Sequence, residues 1–180
     1  MAMKVSEKLQ SELKPVRVLY VIFWFQSCAT VFVYGIVSFI LERMDRPPQL
    51  VAPVLSYVFY SIAAACCIAA IFFPSKIFSD DRIVAAFRKN SPAAPGADSP
   101  DEGFEKSIVG FFKTHQTKYL LSLVFAESIA VVGLVHSILL SKFSTFVIYG
   151  VLSLALKIPR INFVNQTLDR IMYLKEWGKI

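Results

Sequence analysis

The chain has 180 residues, of which 56% are hydrophobic and 18% charged, with a net charge of +6 and a mean hydropathy of +0.57. Soluble domains carry about 45–50% apolar and about 25% charged residues, so these values exclude a disordered protein, a nucleic-acid-binding domain and most soluble enzymes. The apolar residues fall in long uncharged runs, the signature of a chain that lives in a bilayer.

The N-terminal arm, residues 1–17, lacks the short apolar core and cleavage site of a signal peptide. Residues 18–41 and 50–73 then form two runs of 24 residues without a charge. Residues 119–141 form a third run, with the single charge Glu127. A fourth, residues 143–156, is short, but the flanking Lys142 and Lys157 can snorkel and Ile158 extends it. The reading is an all-α polytopic membrane protein with four transmembrane helices in two hairpins. The first hairpin covers 18–73 and the second 119–158, with a loop at 74–118 and a tail at 159–180.

Basic residues set the orientation. Sixteen of the 19 Lys and Arg lie in the arm, the long loop and the tail; Arg43, Arg46 and Lys142 lie in the other two connections. The positive-inside rule places both termini and the loop in the cytoplasm of a cell whose inner membrane holds the chain. An even number of spans follows, which requires the short fourth helix.

Within the loop, Ser79-Asp80-Asp81-Arg82 is expected to start a short helix with Ser79 as its N-cap and Ile83, Val84 and Phe87 on one side. SPAAPGADSP follows as a flexible linker. Ser99-Pro100-Asp101-Glu102 fits a capping box. Beyond it, either the third span projects into the cytoplasm with Phe104, Ile108, Phe111 and Phe112 on one side, or a separate interfacial helix precedes it. In the tail, Phe163, Val164, Leu168, Ile171, Leu174 and Trp177 recur at helical spacing. That pattern predicts an amphipathic helix on the inner membrane surface or on a neighbouring subunit. Asn165-Gln166-Thr167 fits a glycosylation sequon, which has no meaning on the cytoplasmic side.

Cys28, Cys66 and Cys67 all sit in apolar runs and read as packing thiols. The run SIAAACCIAA, with Ala65 and Ala69, is a small-residue stripe for close helix packing or an oligomer interface, as are Gly35 and Gly133. Val33-Tyr34-Gly35-Ile36-Val37 also lines up with Val131-Val132-Gly133-Leu134-Val135. The alignment points to an internal duplication of parallel hairpins, unlike the inverted repeats of secondary transporters.

Glu127 is the leading functional candidate. A charge at the bilayer centre costs at least about 2.5–3.5 kcal/mol, so it must face protein or water. With no intramembrane Lys or Arg counted as a partner, a protonated carboxyl is the expected resting state. Gln26, Thr30 and Tyr60 are candidates to share an ion site with it; Ser27, Tyr57, Ser61, Tyr149 and Ser153 are further candidate hydrogen-bond partners. Two readings stand: H+ or Na+ binding, or a structural hydrogen bond between helices. His136 lies nine residues further on, on the opposite face of a helix, and reads as a polar anchor near the outer interface.

The segment LSLVFAESIAVVGLVHSILLS, residues 121–141, resembles the carboxylate-bearing helix of rotary ATPase proteolipids, above all the four-helix V-type form. Phe125, Ala126, Glu127, Gly133, Leu134 and Leu139 stand in matching places, and Ala29 stands where a first-half carboxylate would be. The resemblance implies that Glu127 occupies the ion-carrying position. It departs from the pattern in placing that residue in the third helix, in keeping only Gly35 in the first, and in its long loop. Two functions follow as expectations. One is a proteolipid-like subunit of a homo-oligomeric ring or larger complex that binds or translocates H+ or Na+. The other is a non-catalytic scaffold or accessory subunit in which Glu127 is structural; a small carrier for a lipid or apolar solute is a third, more remote reading. No nucleophile–base pair, metal cluster, phosphate loop or cofactor motif appears, so no enzyme and no cofactor beyond a bound H+ or Na+ is expected. The expected partners are the lipid bilayer and other subunits or copies, not nucleic acid.

Overall fold

The computed structural model describes residues 6–44, 53–90 and 100–180. The linker 91–99, including Ser99 of the capping box, lies outside the described residues, as does the start of the second uncharged run at 50–52. The described chain is all α. Its helices are α1 (Glu7–Arg43), α2 (Pro53–Ile77), α3 (Asp80–Asn90), α4 (Pro100–Leu140), α5 (Phe143–Lys157) and α6 (Phe163–Glu176), with a 3-10 turn at Ile158–Arg160. Four of them are long and apolar enough to cross a membrane, the fourth being α5 with its 3-10 extension. Large side chains such as Phe25, Phe32, Ile68 and Ile148 stand exposed along them. So much outward apolar surface suits a multi-pass membrane protein and would be a liability in water.

Local signals explain the boundaries. Ser6 caps α1 by accepting the Leu9 amide at 3.1 Å, with Glu7 in the first turn. α1 therefore starts well before the uncharged run, and its early turns belong to no arm. α2 likewise runs through Pro74 to Ile77. At α3 the Ser79 carbonyl accepts the first helical bonds, and its hydroxyl donates back to the Lys76 carbonyl. α4 is one helix of 41 residues, roughly 60 Å long. About half that length is enough to cross a hydrocarbon core, and no break separates residues 100–118 from the apolar run, as one of the two sequence readings has it. The α4–α5 turn is a Schellman motif, with Lys142 N–H donating to Ser137 O and Ser141 N–H to Ile138 O. Ser141 takes the left-handed position at φ 52°.

The projecting part of α4 does not stand alone. Ile108, Phe111, Phe112 and Tyr119 pack with Leu9, Leu13 and Tyr20 of α1, Ile83 and Phe87 of α3, and Val164, Leu168, Ile171 and Leu174 of α6. The rings of Tyr20, Tyr119 and Phe163 pack together at its edge: Tyr119 lies 4.4 Å from each of the other two. This corrects the reading of the tail. The apolar face of α6 is used inside the chain, and only Tyr173 and Trp177 remain outside it among the large apolar side chains. Burying that face against three helices removes more apolar area from water than one-sided contact with a membrane surface.

α6 is also tied to α3 by Arg170, whose Nε donates to Asp80 Oδ1 at 2.5 Å. The Arg170 guanidinium holds the Asp80 carboxyl below its usual range. A lowered carboxyl pKa contributes stability above its unfolded value, and that stability is lost as pH falls through the folded value. Both groups are half exposed, so the contribution is about 0.5 kcal/mol. Melting temperature should fall more between pH 5 and pH 3 (roughly the carboxylate range) for the native chain than for Asp80→Asn. Parallel curves would show that the pair contributes nothing.

Among the spans, α4 is central. It packs on α5, α2 and α1, and α1 also packs on α5, whereas α1 and α2 have no substantial contact. The second hairpin is thus a packed pair. The first is not, because α4 lies between its two helices, and two equivalent hairpins are not seen. Small residues allow the closest approaches. A Cβ on Gly133 would lie 2.3 Å from Tyr149 Cβ, and one on Gly35 would lie 3.2 Å from the Phe146 ring. Ala63 and Ala70 are the buried members of the small-residue stripe; Ala69 is half buried and Ala65 exposed.

Candidate functional site

The polar centre of the spans lies where α1, α4 and α5 meet. Lys157, the last residue of α5, has a side chain that is 0% exposed, and Glu127 on α4 is 20% exposed. The Lys157 ammonium donates to Glu127 Oε2 and, at 2.7 Å, to the backbone carbonyl of Ser27. The Ser27 hydroxyl donates to the same Oε2 at 2.9 Å. Trp24 Nε1 donates to the Lys157 carbonyl at 2.8 Å, and Ser153 Oγ to the Ala126 carbonyl at 2.7 Å. Three further side chains, Trp24 and Ser27 of α1 and Ser153 of α5, therefore surround one charge pair.

This corrects the sequence reading, in which Glu127 lacks a cation and rests protonated. In sequence, Lys157 stands at the edge of the short fourth run. The turn at 141–142 reverses the chain, with Glu127 fourteen residues before Ser141 and Lys157 fifteen after Lys142. Equal arms of an antiparallel hairpin lie at equal depth, so that arithmetic was the available signal.

The predicted companions divide. Gln26 and Thr30, with Ser27, Tyr34 and Glu127, line a groove of about 470 Å³ between α1 and α4. Thr30 spends its hydroxyl on the Gln26 carbonyl of its own helix, at 2.9 Å. Glu127 Oε1 is buried and has no hydrogen-bond partner among the described residues. Tyr60 is elsewhere: its ring packs edge-on against His136 at 5.5 Å and stacks on Tyr149 at 6.3 Å. It belongs to a second cluster, on the opposite face of α4.

His136 anchors that cluster and is fully buried. Its Nδ1 is 3.0 Å from the Tyr149 hydroxyl, its Nε2 is 3.2 Å from Ser56 Oγ, and Phe59 stacks on the ring at 4.8 Å. Both hydroxyls can donate or accept, so either imidazole tautomer is satisfied. As the helical spacing predicts, His136 shares no partner with Glu127. Nearby, Ser38 and Ser137 bond each other across α1 and α4 at 2.7 Å.

A third charged group, Arg160, closes α5 onto its neighbours. Its Nη2 donates to the Ala70 carbonyl at 2.5 Å and its Nη1 to the Ser122 carbonyl at 3.3 Å. Among the described residues no set of three or more His, Cys, Asp or Glu could hold a metal, and the three cysteines are unpaired thiols. No protein family model, curated protein or solved structure matches this chain.

Proposed function

We propose that this chain is a multi-pass inner-membrane scaffold or accessory subunit of a larger membrane complex, non-catalytic, with both termini and the α3–α4 connection in the cytoplasm. In this reading Glu127 is a structural charge that locks α1, α4 and α5 together. The observation that carries it is the state of Oε2, which accepts both the Lys157 ammonium and the Ser27 hydroxyl. An exchange site must take a proton or Na+ from outside and give it back. Here a cation fixed to the chain occupies that place, and a lysine side chain that is 0% exposed does not leave.

The competing reading is a proteolipid-like subunit of a homo-oligomeric ring that carries H+ or Na+ at Glu127. It draws on the unpartnered Oε1 and the groove that Gln26 and Thr30 share with it. Dicyclohexylcarbodiimide separates the two, because it reacts with a protonated carboxyl in an apolar site. In native membranes at neutral pH, Glu127 is expected to stay unmodified, with or without Na+. Modification that Na+ or high pH prevents would overturn the structural reading. Native mass determination in detergent gives an independent check: a single copy, or a complex with different subunits, is expected, and a discrete ring of many copies would favour the competitor.

A further inference from the structure

A second groove, of about 460 Å³, lies where the end of α2, the start of α3 and the middle of α4 come together. Its rim carries three cations, Lys76, Arg82 and Lys118, and its floor is Phe72, Phe73 and Leu121. Each rim cation comes from a different helix, so the fold, not a run of sequence, gathers them. None of the three has an ion-pair partner among the described residues. The adjacent Asp80 is committed to Arg170. Lys76 lies 5.5 Å over the Phe72 ring, on the groove wall. Arg160 adds a further positive charge between the same two helices, α2 and α4, held by the carbonyls of Ala70 and Ser122 and not by a carboxylate.

We infer that this groove binds an anionic phospholipid of the surrounding bilayer, with its phosphate on Lys76, Arg82 and Lys118 and an acyl chain against Phe72, Phe73 and Leu121. The inference rests on the membrane reading above. Depth supports it: Lys76 follows the second uncharged run by three residues and Lys118 immediately precedes the third. If those runs fill the hydrocarbon core, both cations stand at headgroup level and the aromatic floor stands just inside. Basic pockets between spans on the cytoplasmic side are suited to anionic headgroups. A zwitterionic lipid brings an ammonium that three cations repel, and a free phosphate would leave the apolar floor uncovered.

The test uses the full chain in detergent, read by native mass spectrometry with phosphatidylglycerol or phosphatidylcholine added. Phosphatidylglycerol should be retained at least about tenfold better. In Arg82→Gln/Lys118→Gln the preference should collapse, since each basic residue near a membrane surface contributes about a fivefold factor. Lys142→Gln, at the opposite end of the bundle, should keep it. Equal retention of the two lipids by the native chain, or an undiminished preference in the double variant, would overturn the inference. So would displacement of phosphatidylglycerol by millimolar inorganic phosphate, which would mark a soluble-anion site. Alkaline extraction of the same membranes reads the membrane assignment separately: a chain that stays in the pellet but shows no lipid preference refutes the lipid site alone.

Discussion

Lys157→Met should destabilise the chain by about 3–5 kcal/mol, the range seen when one partner of a buried ion pair is removed. The methionine keeps the length and apolar stem of the lysine, so the loss comes from charge and hydrogen bonding rather than from a cavity. Glu127 would be left with the Ser27 hydroxyl on Oε2 and nothing on Oε1. The Ser27 carbonyl would also lose the ammonium that bonds it at 2.7 Å. Glu127→Gln should be comparably harmful, because it strands an ammonium that is 0% exposed. The double variant, Lys157→Met/Glu127→Gln, removes both charges and should recover most of the loss. Melting temperature in detergent for the four chains makes a double-mutant cycle. For a domain of this size about 1 kcal/mol corresponds to about 2–4 °C, so the single variants should melt well below the native chain. A double variant as unstable as the sum of the singles would show that the two residues do not act as a pair.

Gly133→Ala should cost about 1–3 kcal/mol, whereas the same change at Gly110 should stabilise by about 0.5–1 kcal/mol. Both glycines lie in α4, so helix propensity favours alanine equally at each. Surroundings set the opposite signs. A Cβ on Gly133 would lie 2.3 Å from Tyr149 Cβ and 2.7 Å from its Cγ. Cβ is fixed to the α5 backbone, so no side-chain rotation relieves the closer clash and the two helices must separate. Separation would also stretch the contact between Tyr149 and His136, 3.0 Å across the same interface. A Cβ on Gly110 meets nothing within 4 Å. Thermal melts of the two variants should move in opposite directions; a neutral Gly133→Ala would mean that α4 and α5 are not held this closely.

The Glu127 site was half legible. Its carboxylate was singled out because a charge amid apolar residues is conspicuous, and Ser27 stood among its candidate partners. Lys157 was missed because a lysine at the end of an apolar run reads equally well as a snorkelling anchor. Only the depth set by a two-residue turn turns it inward. Tyr60 was grouped with Glu127 on chemistry alone, and its helix packs on the other face of α4. The tail is legible as a helix, but nothing in its pattern says whether its apolar residues meet lipid, another subunit or its own chain.

The sequence by itself determined that four helices are long and apolar enough to cross a membrane, the early continuation of α4 as one candidate, and the uneven placement of basic residues. Each is a one-dimensional property: an uncharged run, a proline, a charge count. Only the tertiary structure decided that α4 separates α1 from α2, that Lys157 meets Glu127, and that α3, α6 and the ends of α1 and α4 share a core. A helix that is apolar on every side carries no stripe to mark which face meets which neighbour. In such helices side-chain shape at contacts like Gly133 against Tyr149, and the need of a few buried polar groups for partners, select the arrangement.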